Sequence, residues 1–176
     1  MAIWTPPVVY DESTIVGKDL LNAQFSENMR YLFNRNKAIA TIGGTGVQAS
    51  TASTTFIPVD PILDITILTY AQSNHLLWFQ GMTRQTGNAY GETMFDVYDD
   101  SQSELIANDK YGATSGLCRM GVRYSTSTYR TQSFEFVYPN RPAGVYRYIL
   151  YWRDDGSGGV SELNTNAVCQ FGVREV

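Results

Sequence analysis

Residues 132–152 read QSFEFVYPNRPAGVYRYILYW, and this stretch decides the fold class. In its first half, aromatic residues occupy every second position from Phe134 to Tyr138, which is typical of a β-strand with one buried face. Its second half, from Val145 to Trp152, is apolar or aromatic at nearly every position, with Arg147 as the charged exception. We therefore predict two strands, the second buried on both faces by another sheet or by a partner subunit.

Segments of the same kind recur along the chain from Thr54 onward. Each is six to ten residues long and rich in β-branched and aromatic residues, and polar or glycine-containing turns separate them. About eight strands without an internal helix or a repeating period predict a mainly β fold, an antiparallel jelly-roll-like sandwich. The strand segments are TTFIPV, LDITILTY, HLLWFQGM, TMFDVYD, LCRMGVRY, QSFEFVYP, VYRYILYW and AVCQFGVREV.

One α-helix is predicted before these strands, over residues 18–40. Apolar residues such as Leu21 and Leu32 follow a helical spacing there, and charged residues cover the other side. The glycines at the start of residues 43–53, GGTGVQASTAS, end the helix, and the small residues that follow predict a flexible linker. The apolar side of the helix also carries asparagines, which either set the register of a coiled-coil assembly or hydrogen-bond the neighbouring arm: Asn22, Asn28 and Asn36.

Residues 1–17 form an arm in which Pro6 and Pro7 exclude a helix and favour extended backbone. The arm also carries Trp4 and Tyr10, which are costly to leave in water. It packs either on its own domain or on another protein, and we leave both alternatives open. The predicted division is an arm and helix for docking or trimerisation over residues 1–42, the linker over 43–53 and the β-sandwich over 54–176.

The composition excludes several functional classes. A chain of 176 residues with 43% hydrophobic and 17% charged residues fits one domain with an attached segment. A net charge of −4 and a pI near 4.9 argue against binding to nucleic acid or to an anionic membrane. No signal peptide or membrane-spanning run is evident, so we expect a soluble protein made in the cytoplasm. Cys118 and Cys169 are expected to be buried free thiols.

No motif for catalysis or cofactor binding stands out, and we expect neither enzymatic activity nor a cofactor nor a metal. The G-x-S-x-G, G-x-x-x-x-G-K-[ST] and G-x-G-x-x-G patterns do not occur. His75 has no second histidine or cysteine nearby in the sequence, which favours a structural or surface role. Two acidic segments offer oxygen ligands for calcium but are more typical of turns: Asp96, Asp99, Asp100 and Glu104, and residues 154–159.

Arginine outnumbers lysine ten to three, and the chain has 12 tyrosines and 3 tryptophans. Arginine and these aromatic residues are enriched at protein interfaces. Two interpretations stay open: the arginines pack on tyrosines of an ordinary sheet surface, or they contact another subunit or a glycan. Within the aromatic strand we predict a candidate subunit interface at Tyr146, Tyr148, Tyr151 and Trp152.

The segment from Trp4 to Ile39 contains a Trp-x-Pro opening, then KDLLN at residues 18–22 and SENMRYL at residues 26–32. It resembles the opening of tailed-bacteriophage virion proteins, which carry a D-L-N element and then an element like R-D-N-x-x-Y-L. Here Ser26 replaces the usual basic residue and Glu27 replaces the aspartate. The resemblance covers about 40 of the 176 residues. The β-rich remainder is similar in outline to trimeric jelly rolls, such as tumour-necrosis-factor-like and phage decoration or fibre-head domains.

This resemblance implies a non-enzymatic virion structural protein, made in the host cytoplasm and then assembled on the particle. The expected protein is a homotrimeric capsid decoration (cement) protein that contacts other virion proteins such as the major capsid protein. The alternative is a tail fibre or receptor-binding protein that attaches to tail proteins and contacts a host-surface glycan. A small β-sandwich hydrolase or lyase is a third hypothesis. The implied docking residues are Trp4, Pro6, Val8, Tyr10, Leu21, Asn22, Phe25, Asn28, Met29, Tyr31 and Leu32.

Overall fold

A computed structural model describes Phe25 and residues 36–42, 49–59, 63–86, 91–106, 128–164 and 166–176. Within these ranges the chain forms eleven β-strands. The strands are β1 (Lys37–Ile42), β2 (Ala49–Thr51), β3 (Ile57–Pro58), β4 (Asp64–Thr69), β5 (Ser73–Thr86), β6 (Thr93–Asp99), β7 (Glu104–Leu105), β8 (Arg130–Arg141), β9 (Gly144–Asp154), β10 (Val160–Leu163) and β11 (Cys169–Glu175).

The strands form two sheets, and every pair is antiparallel. In the first sheet the order is β1-β11-β5-β10-β2, and β8 pairs with the other edge of β5. In the second sheet the order is β3-β9-β6-β7, and β4 also pairs with β9. The fold is therefore a mainly β, antiparallel jelly-roll-like sandwich, as the sequence predicts.

The core lies between the sheets because each long strand turns every second side chain inward. On β9 the inward residues run from Tyr146 to Trp152, and the first sheet contributes apolar side chains such as Phe79 and Phe171. The outward side of β9 is different, since Val145 is 63% exposed and Arg147 is also exposed. The prediction that β9 is buried on both faces therefore holds for the inward face, whereas the outward face is buried only in part.

Two strands lie where the sequence predicted other structure. Residues 37–42 form β1 rather than the last turn of a helix, because β11 offers them a partner from Lys37 opposite Arg174 to Ile42 opposite Cys169. Residues 49–51 form β2 rather than linker, paired with β10. Strand pairing outweighs local composition in both cases. The sheet accordingly begins at Lys37, before the predicted domain start at residue 54.

Other sequence predictions fall outside the described residues. These are the arm, the linker positions 43–48, the strand LCRMGVRY at residues 117–124, Cys118 and nearly all of the predicted helix. Phe25 is described; it is helical and 71% exposed. In the part of the chain that the structure describes, no helix is long and apolar enough to span a membrane.

Candidate interaction surface

The aromatic residues predicted as a subunit interface lie mainly inside the molecule. Tyr146, Tyr148 and Trp152 are buried in the core of the chain itself, so they are unavailable to a partner. Tyr151 points outward from the second sheet and stacks on Tyr98 with 5.1 Å between ring centres. Three of the four residues therefore line the core in this structure. The sequence could not show this, because a strand that is aromatic at neighbouring positions does not reveal which face packs inward. Of the predicted docking residues, Phe25 alone is described.

His75 is buried between the sheets and has a structural role. Its Nε2 lies 2.7 Å from Thr69 Oγ1, and its Nδ1 lies 2.7 Å from the Tyr148 hydroxyl. The rings of Tyr146 and Tyr148 meet the imidazole edge to face. Burial, together with the positive charge of Arg141, lowers the pKa of His75 to about 4. The histidine is therefore neutral at physiological pH.

We predict that His75 makes stability fall as the pH falls from about 6.5 to about 4. In this interval the unfolded chain, in which the histidine pKa is near 6.5, binds more protons than the folded chain. The loss amounts to about 3 kcal/mol at pH 4 and is absent above pH 6.5. Urea denaturation across this range would measure it. A His75→Gln variant should show a shallower pH dependence than the native chain, and equal slopes would contradict the prediction.

Parts of the two acidic segments form turns. Residues 100–103 connect β6 to β7, whereas Asp96 is buried within β6 and Glu104 lies in β7. The Asp99 carboxylate accepts hydrogen bonds from the Ser101 amide and hydroxyl groups. Residues 154–159 connect β9 to β10, and Gly156 and Gly158 have φ values of 79° and 93° there. Such values suit glycine. Among the described residues no three histidine, cysteine, aspartate or glutamate side chains are grouped to hold a metal ion.

The described arginines beside the aromatic strand make local contacts. Arg147 binds Asp64 at 2.8 Å and Asp100 at 3.5 Å, both on the outer side of the second sheet. Arg153 lies 5.1 Å from the centre of the Phe56 ring. For these two residues the interpretation as ordinary sheet-surface packing accounts for the contacts observed.

A different surface combines partly exposed apolar side chains with charges that have no partner among the described residues. It is the outer side of the first sheet, where β1, β11, β5 and β8 lie side by side, and we call it the Trp78 face. The strand register places its residues in two rows: Ile39, Gly172, Trp78 and Glu135 in one, and Lys37, Arg174, Leu76 and Val137 in the next. Ile39 and Val137 are each 48% exposed.

Trp78 occupies the middle of this face because Gly172 leaves room for it. A Cβ atom at position 172 would lie 2.1 Å from the Trp78 Cζ2 atom, so the indole covers the glycine backbone directly. Any larger residue at 172 would displace the ring. The result is a shallow depression of about 240 Å³ lined by Leu76, Trp78, Glu135 and Arg174. Its volume lies below the roughly 300–1,000 Å³ of most small-molecule pockets.

The two charges that flank the depression lie on opposite sides of it. Glu135 is on β8 and Arg174 is on β11, with β5 between them. Strands in a sheet are about 4.8 Å apart, so the two backbones are separated by roughly 10 Å. Neither side chain forms a hydrogen bond or an ion pair with another described residue. Each therefore has hydrogen-bonding capacity that no described residue takes up.

This surface was not predicted from the sequence. The alternation of apolar and polar residues in β8 and β11 does separate Glu135 and Arg174 from the inward side chains, and both are exposed in the structure. Trp78 was missed because the run HLLWFQ is apolar at consecutive positions and does not indicate its outer face. The one signal for it is the glycine at position 172, and that signal becomes readable only with the β5–β11 register.

No protein-family model and no curated protein matches this chain. Solved structures do resemble it. The Eiger TNF of S. frugiperda aligns over 81% of this chain and 92% of its own, at 10% identity and a TM-score of 0.44. The CBM22-1 xylan-binding domain of Paenibacillus barcinonensis Xyn10C aligns over 78% and 93%, at 11% identity and a TM-score of 0.39. A chain of infectious bursal disease virus, Gx strain, aligns over 97% of this chain but 42% of its own, at 10% identity and a TM-score of 0.38.

Proposed function

We propose that the protein is a non-enzymatic structural component of a tailed-phage virion, and specifically a homotrimeric capsid decoration protein. The phage assignment rests on the resemblance of residues 4–39 to the opening of such virion proteins. The structural role rests on one observation, the Trp78 face, where Trp78 is partly exposed and Ile39 and Val137 are each 48% exposed beside charged residues. Surfaces of this kind are typical of protein contact sites.

In this proposal the two parts of the chain have separate tasks. The segment before β1 attaches the protein to neighbouring capsid subunits, while the sandwich is displayed and contacts its own copies. Repeated apolar contacts in a trimer add up, since linked binding events raise the overall avidity without any new type of contact. Such a protein needs buried surface rather than a catalytic group.

Counting copies in purified virions tests the proposal. A decoration protein occurs in hundreds of copies per particle, so quantitative gel analysis should give a number of that order. A count of a few to some tens would favour the alternative, a tail fibre or receptor-binding protein. The depression at Trp78 supports this alternative, because an aromatic ring also suits a sugar when it lies beside an acid and a base that have no partner among the described residues. Absence from the virion would contradict both.

A deletion series separates attachment from folding. Removing residues 1–35 should leave the unfolding transition of the sandwich in place but abolish incorporation into virions. Removing residues 1–42 also deletes β1, which exposes the edge of β11, so this chain should be clearly less stable. Circular dichroism during thermal unfolding and gel analysis of particles would measure the two effects. Normal incorporation of the chain that lacks residues 1–35 would contradict the attachment role.

A further inference from the structure

We propose that the Trp78 face is the contact surface between copies of this chain. In the contact, the β8 margin of one copy meets the β1–β11 margin of the next copy. The inference rests on the homotrimer of the proposed function and names the surface that forms it. It depends on the apolar content, the charge distribution and the extent of this face.

The face carries apolar side chains at its centre and toward both margins. Trp78, which is partly exposed, and Leu76, which is buried, lie in its middle, and the half-exposed Ile39 and Val137 lie toward opposite margins. All four belong to the two adjacent rows that cross the sheet. Tryptophan at the centre of an interface is a common source of binding energy, particularly when flanking residues exclude water.

The charges of the face are opposite at its two margins. Lys37 and Arg174 lie at the β1–β11 margin, and Glu135 lies at the β8 margin. When copies are arranged head to tail in a ring, the acidic margin of each copy meets the basic margin of its neighbour. A heterologous contact of this type forms a closed ring when the rotation between neighbouring copies divides a full turn evenly, as a rotation of one third does in a trimer. The same face thus supplies both halves of the contact.

A second copy fits these observations better than a sugar does. A single sugar ring on Trp78 would fill the depression but would leave Ile39 and Val137 in water, because they lie on strands to either side of it. A protein surface covers all of them together. It also supplies a partner for Glu135 and for the two basic residues at once.

Charge reversal in the full-length chain tests the inference. We expect the native chain to be a trimer by analytical ultracentrifugation at micromolar concentration. Glu135→Lys and Arg174→Glu should each weaken the trimer by about tenfold or more, and the double variant should recover most of the loss. Asp64→Lys on the outer side of the second sheet is the matched control and should leave the trimer unchanged. A monomeric native chain, or single variants that associate like the native chain, would overturn the inference.

A cysteine pair provides a second test that does not depend on affinity. Glu135→Cys combined with Arg174→Cys should give covalent oligomers of up to three chains on a non-reducing gel. The two positions cannot bridge within one copy, since roughly 10 Å separates their strands and a disulfide needs Cα atoms less than about 7 Å apart. Each single variant should remain uncrosslinked. If the double variant also stays uncrosslinked, the two margins do not meet.

Trp78→Ala distinguishes this inference from receptor binding and from the proposed function. We expect it to weaken the trimer, while Tyr98→Ala, a matched aromatic change on the second sheet, does not. A Trp78→Ala trimer as stable as the native one that no longer binds host cells would assign the face to a receptor and overturn the inference. Virion incorporation is measured separately. If the protein is found in virions but its trimer is not weakened by these substitutions, only the inference is overturned. If the protein is absent from virions but its trimer is weakened by these substitutions, only the proposed function is overturned.

Discussion

Trp152→Ala should lower the free energy of unfolding by about 3–5 kcal/mol, the range for removing a large aromatic side chain from a core. Trp152 is 1% exposed and stacks on Phe95 with 6.2 Å between ring centres. Its strand, β9, pairs with β6 on one side and with β3 and β4 on the other. Because these strands hold the backbone in place, the neighbouring residues cannot easily move into the cavity that the substitution leaves. Urea denaturation at fixed protein concentration would measure the change.

Tyr151→Ala is the matched control for this prediction. Tyr151 is the preceding residue on the same strand, but it points outward and stacks on Tyr98. Its loss should cost about 1–2 kcal/mol, since the ring is only half-buried. If Trp152→Ala instead kept the native stability and lost only self-association, then Trp152 would be an interface residue after all and the placement in the core would be wrong.

The fold class could be predicted from the sequence because the long strands carry strong local patterns. The segments predicted around β4, β6 and β11 each contain the observed strand, while β8 and β9 extend one or two residues beyond the predicted segment at each end. β1 and β2 could not be predicted in the same way. Their residues, KAIATI and AST, are small or ambiguous, and they become strands only because β11 and β10 offer them an edge.

The candidate surface could be predicted only in part, for a related reason. Alternation of apolar and polar residues along a strand shows which side faces the core when one side is polar, as it is for Glu135 and Arg174. It does not show this when both sides are apolar or aromatic. For this reason Trp78 was overlooked and Tyr148 was placed on a surface. The missing information is the pairing of β5 with β11, a contact between residues far apart in sequence.

Asp154→Ala should lower the free energy of unfolding by about 3–5 kcal/mol, since it removes a buried charged acceptor and leaves its donors unsatisfied. Asp154 ends β9 and is buried. Its Oδ2 accepts hydrogen bonds from Gln85 Nε2 at 2.7 Å and from Ser161 Oγ at 2.9 Å, and its Oδ1 accepts one from the Gly156 amide at 2.8 Å. The carboxylate therefore ties β9 of the second sheet to β5 and β10 of the first.

Two further variants separate the lost hydrogen bonds from other effects of this change. Asp64→Ala removes an exposed aspartate that pairs with Arg147, and it should cost no more than about 1 kcal/mol. Asp154→Asn keeps the volume but turns one acceptor into a donor, which then faces the Gln85 amide or the Gly156 amide. We expect it to cost at least about 2 kcal/mol, because a donor facing a donor leaves both unsatisfied inside the protein. If Asp154→Asn matched Asp64→Ala in urea denaturation, the network would contribute little and the two sheets would be joined by apolar packing alone.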